Sequence, residues 1–218
     1  MIYLSHMHDA QKAYFAQAYK TGTDLWSTQN FFEHITPLLK ELAPQAFILD
    51  VGIGRGKMVP LLVDRGFRII GIDVIEDIVS KVNEEIKNRH IEKSARVMTA
   101  SVLDIPFANE SFDAVIDIGL AQHLLQQDFA TYAQEVSRVL KPGGYILSIQ
   151  FAKETQKYLT WYPKSSDMNT FERDGVSYTF FTKEEHHGLY PDTSIISETL
   201  VPIDSLQDEL VRVMILQK

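Results

Sequence analysis

The sequence predicts a doubly wound α/β sheet of seven strands, mostly parallel, with an antiparallel last strand. Three observations carry this. Apolar runs of strand length alternate with helical patterns from Ala46 to Phe151. The first of these runs turns through closely spaced glycines into a helix, as parallel α/β units do. Two β-rich runs, Ser194 to Val201 and Leu210 to Leu216, close the chain on a short connection, which suits a terminal hairpin with the last strand antiparallel.

Composition sets the bounds. A chain of 218 residues suits one α/β domain, and 45% hydrophobic with 23% charged residues is ordinary for a globular fold. Lys and Arg number 21 against 29 Asp and Glu, a formal charge of −8, which argues against a nucleic-acid surface built on a basic stripe. Cysteine is absent, so neither a disulfide framework nor a cysteine-rich zinc site can form. No basic segment followed by an apolar core opens the chain, and no apolar run approaches ~18 residues. The expectation is a soluble, cytoplasmic protein. No segment repeats or is low in complexity.

In chain order, Tyr14, Phe15, Ala18 and Tyr19 fall at helical offsets until Thr21-Gly22-Thr23 breaks the pattern. A second helical stretch from about Thr28 to Leu42 carries Phe31, Phe32, Ile35, Leu38, Leu39 and Leu42, and stops at Pro44. Tyr19 and Trp26 flank the glycine break rather than extend an apolar stripe. The first strand, Ala46 to Val51, runs into Gly52-Ile53-Gly54-Arg55-Gly56-Lys57 and then a helix opened by Met58, Leu61 and Leu62. Such a turn is expected to present free backbone N–H groups, and its missing Cβ atoms let a ligand approach the backbone. The spacing is G-x-G-x-G, with Lys57 standing where the dinucleotide fingerprint has its third glycine. Asp50, two residues before the first glycine, would repel a pyrophosphate and suits a ligand carrying an ammonium and a sulfonium.

The second strand, Phe67 to Asp73, ends on an acid about twenty residues past the glycine turn, the position from which a carboxylate accepts hydrogen bonds from ribose hydroxyls. An acid at a helix N-terminus would look the same. Ile75, Ile78, Val79, Val82 and Ile86 then mark an amphipathic helix over one sheet face. A third strand lies near Ala95 to Ala100, and a fourth from Ala114 to Gly119, broken by Asp117. Gly119-Leu120-Ala121-Gln122-His123 follows it at the end of the sheet where open α/β folds bind ligands. His123 is the one histidine placed for proton transfer, with packing or hydrogen bonding as the alternative. Phe129, Tyr132, Val136, Val139 and Leu140 form the next helix, stopped by Lys141-Pro142-Gly143-Gly144, and the fifth strand runs from Tyr145 to Phe151. Between Lys153 and Asp192 the chain is rich in aromatics, among them Leu159-flanked Trp161, Tyr162, Phe171, Tyr178, Phe180 and Phe181. His186 and His187 beside Glu184 and Glu185 lack metal-ligand spacing and read as a solvated helix face.

Three stretches together resemble one family. Leu49-Asp50-Val51-Gly52-Ile53-Gly54-Arg55-Gly56 is similar to the first motif of class I S-adenosylmethionine-dependent methyltransferases, Ile105 to Asp113 to the loop after their third strand, and Glu135 to Gly144 to the helix end before their fifth. The resemblance implies a Rossmann-like methyltransferase fold in a single domain: a helical lid over 1–45, a cofactor-binding core over 46–151, a variable acceptor-side segment over 152–192 and a terminal β-hairpin over 193–218. It implies S-adenosylmethionine as cofactor and S-adenosylhomocysteine as product. The cofactor residues it points to are Asp50, Gly52, Gly54, Gly56, Asp73, Val74, Ser101, Val102, Asp104 and Gly119, with Tyr19 and Trp26 from the lid. Ser101 stands where the family has an acid toward adenine's amine, and Asp104 is the nearby substitute. Gly119 lets the methionine end pass.

The expected reaction is in-line attack by an O, N, S or C atom on the activated methyl, with alignment and desolvation as the protein's main task. An acidic chain with an aromatic insertion favours a small-molecule acceptor, held between the Tyr19 to Trp26 stretch and the segment from Leu159 to Phe181. A cofactor-binding protein without catalysis would keep the same glycines. A dinucleotide-dependent oxidoreductase would share Gly52, Gly54 and Asp73 but not the two later motifs.

Overall fold

The computed structural model describes residues 2–24, 26, 29–156, 170–173, 175–203 and 206–218, with backbone alone for 2–8 and 206–208. Helices α1 (Ile2–Thr21) and α2 (Phe32–Glu41) precede the sheet. The repeating part is β1 (Phe47–Val51), α3 (Met58–Val63), β2 (Arg68–Asp73), α4 (Glu76–Asn88), β3 (Ala95–Thr99), β4 (Phe112–Ile118), α5 (Phe129–Val139) and β5 (Leu140–Phe151). A short hairpin, β6 (Thr170–Arg173) with β7 (Val176–Thr179), and helix α6 (Lys183–Gly188) lead to β8 (Ser194–Ile203) and β9 (Leu206–Gln217). The seven-stranded sheet has the order β3-β2-β1-β4-β5-β9-β8, and only β9 runs antiparallel to its neighbours. The order reverses between β1 and β4, so a crevice opens beyond their carboxyl ends.

Alternation along β1 shows why both faces need helices. Ile48 joins a core with Ile35 and Leu38 of α2, Leu62 of α3 and Val79, Val82 and Ile86 of α4. Leu49 and Val51 join the opposite core with Tyr132, Val136 and Val139 of α5. A strand buried on both faces reads as a continuous apolar run, which is how Phe47 to Val51 appears in the sequence.

The two later motifs are clamps between elements. Arg138 donates to the carbonyls of Ile105 (2.7 Å) and Phe107 (2.6 Å), while Glu135 accepts from the Ile105 N–H at 2.6 Å. Helix α5 thereby holds the loop after β3. Asp113 accepts from the Phe47 N–H (2.8 Å) and pairs with Lys141 (2.7 Å), tying the start of β1 to the turn before the main run of β5. That turn lies inside β5: the register shifts where Phe112 pairs with Leu140 and Ala114 with Tyr145, so Lys141 to Gly144 form a bulge rather than a separate loop.

One sequence expectation is corrected. The histidine pair does not lie on a solvated face. His186 is fully buried, its Nε2 lies 2.7 Å from Ser148 Oγ, and its ring lies against Phe181. Helix α6 keeps Lys183 and Glu184 in water and turns His186 inward, and a capping box of Thr182 with Glu185 fixes its start. The aromatic segment contains the β6–β7 hairpin, with Phe180 and Phe181 in the two cores; Leu159, Trp161 and Tyr162 lie outside the described residues. Among the described residues no helix is long and apolar enough to cross a membrane.

Candidate active site

The glycine turn and the end of β2 meet at one carboxylate. Asp73 Oδ2 accepts the Gly54 N–H and Oδ1 accepts the Ile75 N–H, each at 3.0 Å. Gly54 has φ of 50°, and a Cβ there would lie 3.0 Å from the Tyr19 hydroxyl. The turn therefore has a left-handed backbone that favours glycine and a side chain resting on it. The expectation of free N–H groups is corrected at four residues of the turn. Gly52 and Ile53 both donate to the Ile72 carbonyl (2.9 and 3.0 Å), Gly54 to Asp73, and Gly56 to the Ile53 carbonyl (3.0 Å). These donors are spent inside the protein, which leaves the turn poorly equipped to cradle a pyrophosphate.

The floor of the site is acidic. Asp50 is buried, and burial, with Asp117 and Asp73 adding repulsion, pushes its carboxyl up to about 8. Burial also raises Asp73, against the pull of the Gly54 and Ile75 N–H groups. Asp117 is buried in β4 behind Asp50. Its Oδ2 accepts from Tyr132 (2.6 Å) and Tyr190 (3.0 Å), and its Oδ1 from the Leu120 N–H at 2.9 Å. Burial raises Asp117 too, and these donors oppose the rise. A cation placed between Asp50 and Asp73 would relieve this arrangement.

Helix α1 and the residues after it roof the site. Arg55, inside the glycine turn, pairs with the buried Asp24 at 3.0 Å and donates to the Tyr19 carbonyl at 2.6 Å. Midway along α1, Gln11 donates to the His123 carbonyl at 2.5 Å and accepts from the Ser177 N–H at 3.0 Å. Trp26 lies directly on Gly119, where a Cβ would come within 2.3 Å of its Cε2. The cavity has a volume of about 400 Å³ and runs from Asp73, Val74 and Ser101 past Gly52 and Gly119 to Phe15 and His123.

His123 is held as one tautomer. The Ser177 carbonyl, 2.8 Å from Nδ1, can only accept, so Nδ1 carries the proton. Gln122 Oε1 accepts the Phe151 N–H at 2.6 Å, which turns its amide nitrogen toward His123 Nε2 at 3.2 Å. Burial lowers the ring's pKa to about 4, in keeping with a neutral imidazole. Phe15 (4.9 Å between ring centroids) and Tyr178 (5.0 Å) meet it edge-on.

A sequence model of the methyltransferase domain family matches residues 49–148, which span the glycine turn, Asp73 and both clamp motifs. Over residues 49–148 the chain is thus similar to a methyltransferase domain. The family's cofactor is S-adenosylmethionine. A probable tRNA methyltransferase 9B from Mus musculus is 32% identical over 133 residues, covering 61% of this chain and 27% of that protein. A tRNA (carboxymethyluridine(34)-5-O)-methyltransferase from Arabidopsis thaliana is 27% identical over 164 residues, covering 72% of this chain and 38% of its own length. The chain thus spans well under half the length of these curated relatives. Among solved structures, 1,6-didemethyltoxoflavin-N1-methyltransferase from Burkholderia thailandensis, with bound 1,6-didemethyltoxoflavin and S-adenosylhomocysteine, has a TM-score of 0.81 at 19% identity, covering 97% of this chain and 88% of that one. That likeness is one of fold.

Tyr19, Trp26, Asp50, Gly52, Gly54, Asp73, Val74, Ser101, Val102, Gly119 and His123 all border the same cavity. Gly56 and Asp104 do not. Gly56 faces α4, where a Cβ would come 2.6 Å from Val82 Cγ1, and Asp104 is exposed, bridging back to Ser101 through its backbone. Ser101 Oγ accepts the Leu103 N–H at 3.1 Å. Arg55, Asp24, Gln11 and Phe15 are site residues the sequence did not single out. Arg55 carried a signal, a cation between two turn glycines; Gln11 carried none, since its partners lie 112 and 166 residues away.

Gly56→Ala tests the packing role. Strain at φ of 67° and overlap with Val82 should cost about 2–4 kcal/mol of stability. Thermal unfolding should register that loss, while titration should give an unchanged S-adenosylmethionine affinity per folded molecule.

Proposed function

We propose that this methyltransferase moves a methyl group from S-adenosylmethionine to a small organic acceptor. A single cavity with two unlike ends carries the reading. At one end stand the turn glycines, two buried acids and the Ser101-Val102 edge; at the other stand Phe15, Trp26 and His123. In this assignment Asp73 receives the ribose hydroxyls on lone pairs left after its two N–H bonds, since a carboxylate offers about four acceptor positions. Val74 and Val102 border the adenine, with Ser101 at its edge, and Asp50 faces the ammonium group. The bound cofactor supplies an electrophilic methyl on a positively charged sulfur. The chain's own contribution is alignment and exclusion of water under α1.

His123 enters the proposal as a wall and hydrogen-bonded anchor for the turn after β4, because both ring nitrogens have partners and the ring is a weak base. An acceptor that is nucleophilic without a base fits such a site. Small size is supported by the roof that α1 places over the cavity and by the formal charge of −8. The tRNA-directed relatives make nucleic acid the competing acceptor class. A cytoplasmic setting is carried as part of the same proposal.

Asp50 gives this reading a pH signature. A cationic ligand favours the carboxylate, so binding should release a proton from a group that titrates at about 8 without ligand. Affinity for S-adenosylmethionine should rise between pH 6 and 8, by up to about tenfold per unit, and level off above. Asp50→Asn should flatten the profile. For folding the sign is opposite: the unliganded protein loses Asp50's contribution as pH rises from 3.8 through about 8, so its unfolding temperature should fall over that interval.

Release of S-adenosylhomocysteine across a panel of small acceptors, with a parallel tRNA arm, tests the acceptor. Turnover with a small molecule and none with tRNA is the expected result. Turnover with tRNA alone would overturn the acceptor assignment, and cofactor binding without turnover in any arm would favour the non-catalytic alternative.

A further inference from the structure

Trp26 stands at the junction of the two ends of the cavity. Its indole lies against the bare Cα of Gly119, at the carboxyl end of β4, and any side chain there would displace it. Its orientation is set by other rings: Phe31 lies at 5.6 Å and Phe151 at 5.5 Å between centroids, and Phe151 in turn stacks on Phe180 at 5.3 Å. Phe31, Phe151 and Phe180 are all buried, so the indole is wedged rather than mobile on a surface. The same cavity wall carries Asp50 and Asp73. Arg55 also borders the cavity, paired with Asp24 and donating to the Tyr19 carbonyl. Lys12 and Lys57 line it as well, so the two acids and the indole share a wall that carries charges of both signs. An aromatic ring carries partial negative charge on its faces and attracts a cation within about 6 Å of its centroid, tryptophan most strongly.

We propose that Trp26 is the residue by which this site distinguishes the charged sulfonium cofactor from its neutral thioether product. The inference rests on the reading that S-adenosylmethionine occupies this cavity. In the transfer, the acceptor's electron pair forms the bond to the methyl carbon and the carbon–sulfur pair stays on sulfur. The positive charge passes to the acceptor, which keeps it or loses a proton to water. The attraction between the indole and the sulfur end disappears in the same event, so the product is held less tightly than the cofactor. Asp50 cannot make this distinction, because the ammonium group it faces is present in both molecules.

The test compares three ligands on the full chain by titration calorimetry: S-adenosylmethionine, S-adenosylhomocysteine and sinefungin, in which a protonated amine replaces the sulfonium. In Trp26→Leu, affinity for the two charged ligands should fall by about tenfold, the range expected for a desolvated cation and an indole, while that for S-adenosylhomocysteine should change by less than about twofold. Trp26→Phe keeps a ring with a weaker field and should fall between, and it gives the same comparison should Trp26→Leu melt below the assay temperature. Equal weakening of all three ligands would reduce Trp26 to packing and overturn the inference. Failure of the unaltered protein to bind any of the three would instead bring down the cofactor reading itself.

Discussion

The carboxylate of Asp73 is the point on which the site depends. It ends β2, and its two oxygens take the N–H groups of Gly54 and Ile75, so the turn after β1 and the entry to α4 are fixed by one side chain. Burial opposes its ionisation, and the two N–H bonds favour it. Such a group is over-determined by its surroundings, which suits a residue that must keep acceptor positions aimed into a cavity. Tyr19 closes over the same turn, and burial together with the charges of Asp73 and Asp24 keeps its phenol protonated. The turn, the strand end and the roof are therefore one structure.

Arg55 links that structure to the cover. Because it sits between two turn glycines and reaches both Asp24 and the Tyr19 carbonyl, a shift of the turn would be felt at the end of α1. Gln11 fixes the middle of the same helix to β7 and to the turn of His123. Behind the cavity, Asp117, Tyr132, Tyr190, Ser148 and His186 form a buried polar chain through the sheet and into α6. Asp117, at the centre of this network, is bonded at both oxygens, whereas the buried Nδ1 of His186 at its far end has no partner among the described residues.

Much of this was legible in the sequence because it is local. Leu49 to Gly56 announces its own turn through glycine spacing, and Asp73 is found by counting on to the end of the next strand. The mostly parallel core followed from the alternation of strands and helices, and the terminal hairpin from a short connection. What escaped was set by long-range contact. His186 looked solvated because neighbouring charges dominate its segment, yet Ser148, 38 residues away, draws it into the interior. The turn's N–H groups looked available, since the sequence cannot show that the Ile72 carbonyl and Asp73 take them up. Gly56 shares the motif with Gly52 and Gly54 but serves the packing of α4, a difference that spacing alone does not encode. Gln11 has no sequence signal at all, because both ends of its amide are used on distant backbone.

The account stands or falls on what the cavity accepts. Calorimetric titration of the protein with S-adenosylmethionine and, separately, with NAD measures this most directly. One molecule of S-adenosylmethionine should bind per chain and NAD should produce no saturable heat, because the N–H groups of Gly52, Ile53, Gly54 and Gly56 are taken up inside the protein and the acids of the site attract a cation. Saturable binding of NAD with none of S-adenosylmethionine would contradict the account.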